Sequence, residues 1–165
     1  METFRNPPIT EALIDIRADL PSDITLSELE KLQEAIKSHY PKKRLRHRFE
    51  GVIEFKEQEA PRAESKDLGP DGYFFWSADE NQAVQFRLDG FTFNRLRPYK
   101  NWDAMRSEAK PLWELYLANA RPLHVTRLAL RYINSIDIPA KSFLTPPVAT
   151  RELLMQCWAP RVDME

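Results

Sequence analysis

Residues 11–20 alternate with period two: Ala12, Ile14, Ile16, Ala18 and Leu20 fall on one side, Glu11, Asp15, Arg17 and Asp19 on the other, and Leu13 alone breaks the polar row. Such alternation predicts a strand with one face on a core. The pattern then turns helical. Leu29, Leu32, Ile36 and Tyr40 share one stripe, with Glu28, Glu30, Lys31, Glu34 and Lys37 opposite. Thr25 and Glu28 are spaced as a capping box, Ile24 is placed to staple onto Leu29, and Pro41 ends the helix. Across 42–56 period two returns, with Leu45, His47, Phe49, Ile53 and Phe55 set against Arg44, Arg46, Arg48 and Glu54, and Gly51 marking a bulge. Residues 57–72 hold two prolines and two glycines among scattered charges, which predicts a mobile loop.

A strongly apolar strand over 73–77, a turn at 78–81 and a return strand over 82–88 come next. Asp89-Gly90 fits the centre of a type I′ turn, which predicts Leu88 facing Phe91, Phe86 facing Phe93 and Arg87 facing Thr92. Asn101 is placed to cap a second helix whose stripe is Trp102, Met105, Ala109, Leu112, Trp113, Tyr116 and Ala120; Pro111 predicts a kink or two short helices there. A last strand runs over 125–138 up to Pro139, followed by a proline-rich connector and a short helix over 151–158. This order predicts an α+β two-layer sandwich: a largely antiparallel, curved sheet with two main helices packed on one face. Residues 1–140 form a single domain in this reading, and 141–165 are a connector and C-terminal helix, the start of a second half.

Composition narrows the chemistry. A chain of 165 residues, 42% hydrophobic and 30% charged, suits one domain. Its four glycines form no phosphate-cradling loop, and its one cysteine, Cys157, excludes an internal disulfide or a multi-thiolate zinc site. No cofactor is implied. The apolar run 73–76 is too short to cross a bilayer and the first residues lack a secretion signal's apolar core, so no membrane partner and a cytoplasmic location are expected.

Three segments carry a resemblance: Asn6-Pro7-Pro8-Ile9-Thr10-Glu11-Ala12, Leu96-Arg97-Pro98-Tyr99-Lys100-Asn101-Trp102, and the run from Arg127 through Arg131-Tyr132-Ile133-Asn134 to Asp137-Ile138-Pro139. Together they resemble an uncharacterised, sporadically distributed prokaryotic family over residues 6–139. The resemblance implies no activity. It does imply that relatives continue past the equivalent of Pro139, so that this chain resembles a shortened version.

Charge is local. Net charge is −1, yet residues 42–48 hold Lys42, Lys43, Arg44, Arg46, Arg48 and His47. On a strand Arg44, Arg46 and Arg48 share a face about 7 Å apart, near the spacing of successive phosphates. The competing reading is a solvated face neutralised by nearby acids. Arg127 and Arg131, with Tyr132, Asn134 and Asp137 beyond, suggest an anion pocket; alternatively the arginines pair with Asp15 or Asp19 on a neighbouring strand. Glu11, Asp15 and Asp137 form a candidate metal-binding group for a nuclease or phosphoesterase if the first and last strands are neighbours. Phe74 and Trp76 have the opposite phase from core-facing Phe75 and are free to meet a partner. The leading expectation is a non-enzymatic binding or interaction module offering Arg44, Arg46 and Arg48 to nucleic acid or an acidic protein. An enzyme using the sheet carboxylates, or a homo-oligomer joined through residues 154–158, are the alternatives.

Overall fold

The computed structural model describes residues 7–54 and 62–136. The chain divides into two compact units, Met1–Asn134 and Ser135–Glu165, of which the first carries every element described below. In chain order these are β1 (Ile9–Asp19), α1 (Leu26–Lys31), α2 (Gln33–Ile36), β2 (Lys42–Glu54), β3 (Arg62–Trp76), β4 (Gln82–Arg87), β5 (Gly90–Leu96), α3 (Trp102–Ala120) and β6 (His124–Asn134). All six strands join one sheet in the order β2-β3-β4-β5-β1-β6, with every neighbouring pair antiparallel. The architecture is an α+β sandwich with an open sheet.

Topology fixes where the helices go. Counting antiparallel neighbours across the sheet makes β1 parallel to β2 and β5 parallel to β6, so α1/α2 and α3 are both crossover connections. The two crossovers run in opposite directions across the sheet from strands that also point oppositely, so the usual right-handed rule lands both on the same face. That face holds the core. Ala12 and Ile16 of β1, Phe75 of β3, Val84 and Phe86 of β4, and Phe91 and Phe93 of β5 meet Leu29, Leu32, Ile36, Met105, Leu112 and Tyr116 from the helices. Phe86, Phe91, Trp113 and Tyr116 form a ring cluster with centroids 5.6–6.1 Å apart.

Several sequence expectations are corrected. Residues 62–72, read as loop, belong to β3. Gly69, Pro70 and Gly72 sit where pairing with β2 shifts register, between Arg46↔Gly72, His47↔Pro70 and Phe49↔Asp67, so the irregular residues are absorbed as bulges. The first helix is broken into α1 and α2 at Leu32, and Thr25 holds its cap position through its backbone without a side-chain cap bond. Pro111 lies inside a single helix, α3: burial of Met105, Ala109, Leu112, Tyr116 and Ala120 along the whole stripe offsets the roughly 3 kcal/mol a mid-helix proline costs. Asn101 caps it as expected, its Oδ1 accepting from the Ala104 amide at 2.8 Å.

The β4–β5 hairpin has Arg87↔Gly90 and Phe86↔Phe91 as partners, so Leu88 and Asp89 make the turn and Gly90 begins β5. The register differs from the type I′ expectation by one residue on each strand, which keeps every side chain on its expected face. Tertiary bonds override the local turn preference: the Ala18 amide donates to the Asp89 carbonyl at 3.1 Å and the Leu88 amide to the Asp71 carbonyl at 2.8 Å. Gly90 has φ of +140°, and a Cβ there would lie 2.0 Å from the Ile16 carbonyl oxygen. Gly90→Ala is therefore expected to cost roughly 2–4 kcal/mol in urea unfolding, whereas Gly51→Ala, with nothing within 4 Å of its Cβ, leaves the midpoint unchanged.

Candidate functional site

The face of the sheet turned away from the helices is polar, and its residues line up in transverse rows set by strand pairing. One row reads Arg127, Arg17, Gly90, Arg87, Gly72, Arg46 from β6 to β2. The next reads Ala129, Asp15, Thr92, Gln85, Phe74, Arg44, and the third Arg131, Leu13, Asn94, Ala83, Trp76, Lys42. With strands about 4.8 Å apart, the arginine row spans roughly 24 Å.

Its two glycines have a structural reason. A Cβ on Gly72 would meet the Phe86 carbonyl oxygen at 2.4 Å and Arg87 Cγ at 3.2 Å. Gly90 leaves no side chain between Arg87 of β4 and Asp15 of β1, although β5 lies between those strands. Arg87 thus reaches across, its Nη2 3.0 Å from Asp15 Oδ1 and its Nε 3.1 Å from Asp89 Oδ1. Its side chain is only 3% exposed on a face that no helix covers. Both contacts are ion pairs without in-line hydrogen-bond geometry, so Coulomb attraction is what compensates this buried cation.

Asp15 is the hub. It accepts from Thr92 Oγ1 at 2.7 Å and from Arg127 Nη2, and Arg17 Nε lies 3.5 Å away. Burial pushes its pKa up, but the bonds from Thr92 and Arg127 and the charge of Arg87 outweigh that and hold it at about 2. Burial pulls Arg87 down while Asp89 and Asp15 push it back up. Arg17 also donates to Asp89, and Arg46 to Asp71. Beside this network a cleft of about 220 Å³ opens between Arg17 of β1 and Arg46, His47, Arg48 and Phe49 of β2, with Asp71 and Asp89 at its base.

The expected site residues divide accordingly. Residues 42–48 are extended, but Arg46 is tied to Asp71, Lys42 to Glu80, Lys43 to Glu30, and His47 to Asp67. Arg44 is exposed and makes no ion pair among the described residues, and Arg48 is exposed on the cleft. Arg127 and Arg131 share the open face, opposite Arg17 and Leu13; Arg127 takes the Asp15 pairing that the structural alternative anticipated. Tyr132 lies opposite Ala12 and so faces the helix side, as does Asn134 two residues on. Asn134 is also seven residues from Arg127, roughly 23 Å along an extended strand, so these side chains do not converge on one small anion. The first and last strands are neighbours, but Asp137 lies outside the described residues, as do Cys157 and residues 154–158. Asp15 is fully engaged by cations, and Glu11 accepts from Asn94 Nδ2 at 2.6 Å. No group of three or more metal-ligating side chains occurs among the described residues, and no described helix is long and apolar enough to cross a membrane.

Sequence reading missed Arg17, Arg87 and Asp89. The signal was present, since alternation already put Arg17 and Arg87 on the polar phase; what it lacked was the strand order that aligns them. The three family-like segments also meet in space at one end of the sheet. The Arg97 amide donates to the Thr10 carbonyl at 3.1 Å, Thr10 Oγ1 donates to the Ile133 carbonyl at 2.9 Å, and the Tyr99 and Tyr132 hydroxyls are 3.2 Å apart. They clasp β1, β6 and the β5–α3 connection. No protein-family model matches the sequence, and neither a curated protein nor a solved structure is significantly similar to it.

The ionic hub predicts an acid dependence. A carboxyl whose folded-state pKa lies below its unfolded value of 3.8 contributes fully above that value and loses its contribution as pH falls towards about 2. Unfolding free energy is therefore expected to fall between pH 4 and 2. Asp15→Asn should flatten that fall and, by stranding Arg87, cost roughly 3–5 kcal/mol at pH 7 in urea titrations.

Proposed function

We propose that the domain is a non-enzymatic binding module that offers the open face of its sheet to an anionic macromolecule. The observation that carries this reading is the alignment of Arg127, Arg17 and Arg46 in one transverse row about the buried Arg87, with Arg44, Arg48 and Arg131 around it. Asp15, Asp71 and Asp89 neutralise part of the row and orient it. An arginine tethered through one edge keeps further N–H donors for a partner: the Arg127 side chain remains 52% exposed and that of Arg17 35% exposed. Such pre-ordered donors lose little entropy when a phosphate or carboxylate docks. Asp15, Asp71 and Asp89 are spent on these cations and Glu11 on the Asn94 amide, which favours binding over hydrolysis.

The cleanest test avoids the arginines that hold the fold. Arg44→Glu combined with Arg131→Glu alters two exposed positions that make no ion pair among the described residues. Binding of the full chain to heparin and to a fluorescent single-stranded oligonucleotide, measured by anisotropy at several salt concentrations, is expected to weaken with salt in the wild type. The double variant should bind at least about tenfold more weakly. Salt-independent binding, or a variant that binds as well as the wild type, overturns the reading.

A further inference from the structure

We infer that the partner is single-stranded nucleic acid, with unpaired bases stacked on Phe74 and Trp76; the inference rests on the anion-binding reading and adds to it how bases, as distinct from charge, would be recognised. The two rings lie on the open face of β3, half-buried, with centroids 6.4 Å apart and planes within 19° of each other. Side by side on one strand, they present a platform for two successive bases. A core role is taken by Phe75, which is fully buried on the opposite face.

Their neighbours suit a nucleotide. Arg44, exposed and without an ion pair among the described residues, flanks Phe74 on β2 and places positive charge where a backbone leaving the platform would run, while Lys42 beside Trp76 is paired with Glu80. On the other side, Phe74 faces Gln85. Gln85 Nε2 donates to Asn94 Oδ1 at 3.0 Å, and Asn94 Nδ2 donates to Glu11, so the amides are oriented by a chain across β4, β5 and β1. That leaves the Gln85 carbonyl oxygen and one N–H able to meet the edge of a base lying on Phe74. A second aromatic pair, His47 and Phe49, stands at the cleft with centroids 6.4 Å apart, and Phe49 is 63% exposed. A surface meant for a purely anionic partner has no use for apolar rings among its cations, whereas a duplex keeps its bases stacked within and cannot lay them on the sheet.

The test uses the full chain and three probes of equal length: a single-stranded oligonucleotide, its abasic sugar-phosphate counterpart, and the duplex. The single strand is expected to bind at least about tenfold more tightly than the abasic probe, and to quench fluorescence that Trp76→Phe removes. Phe74→Leu with Trp76→Leu, which retain apolar volume, should abolish the preference for bases while leaving heparin binding within about twofold. Equal binding of base-bearing and abasic probes, tighter binding of the duplex, or an unchanged preference in the leucine variant overturns base recognition and leaves the anion-binding reading standing. Failure of every polyanion to bind overturns both.

Discussion

A single carboxylate organises the sheet. Asp15 of β1 is in contact with Thr92 of β5, Arg87 of β4, Arg127 of β6 and Arg17 of its own strand, so four strands meet at one charge. Arg87 cannot be compensated by water at 3% exposure, and it reaches Asp15 because the strand between them carries glycine at the crossing point. The hairpin register, the positive φ of Gly90 and the close approach of Gly72 to β4 are consequences of the same constraint. Tyr116 of α3 ties the helix layer to it, donating its hydroxyl to the Arg87 carbonyl at 2.8 Å.

The two faces of the sheet are built on different physics. On the helix side, the rings and aliphatic side chains of every strand from β3 to β1 are removed from water, and burial of this kind is non-directional. On the open side, position is set by ion pairs whose energy depends on geometry. A one-residue slip of any strand would exchange the two sets. Hydrophobic pattern and charge pairing therefore select the same register independently.

Much of this was legible in the sequence. The clean alternation of residues 11–20 gave β1 and both its faces, and Asn101 with its apolar stripe gave α3. Local reading failed where long-range contacts decide. Residues 62–72 carry every mark of a loop, yet the long partner strand β2 and the bulges at Asp71 and between Pro70 and Asp67 draw them into the sheet. Asp89-Gly90 carries the marks of a type I′ turn, yet Arg87, Arg17 and the Ala18 amide claim Asp89 and move the turn back by a residue. The candidate site shows the same limit: residues 42–48 stood out because their charge is contiguous in sequence, whereas Arg17, Arg87 and Arg127 are brought together by strand order alone.

That difference bears on what the face can do. A contiguous basic run on an edge strand is open to neutralisation by whatever acids lie nearby, and Lys42, Lys43, Arg46 and His47 are each paired in this way. The transverse row is different, because its acids are shared: Asp15 serves Arg17, Arg87 and Arg127, and Asp89 serves Arg17 and Arg87. Shared carboxylates cannot cancel every guanidinium they hold, so positive charge remains after the arginines have been fixed in place. Fixing them on strands, with neighbouring rings on the same rigid face, keeps the spacing between charge and aromatic surface constant. On the proposed reading, a face that holds that spacing distinguishes polymers by the distance between their phosphates and their bases, which a flexible basic tail cannot do.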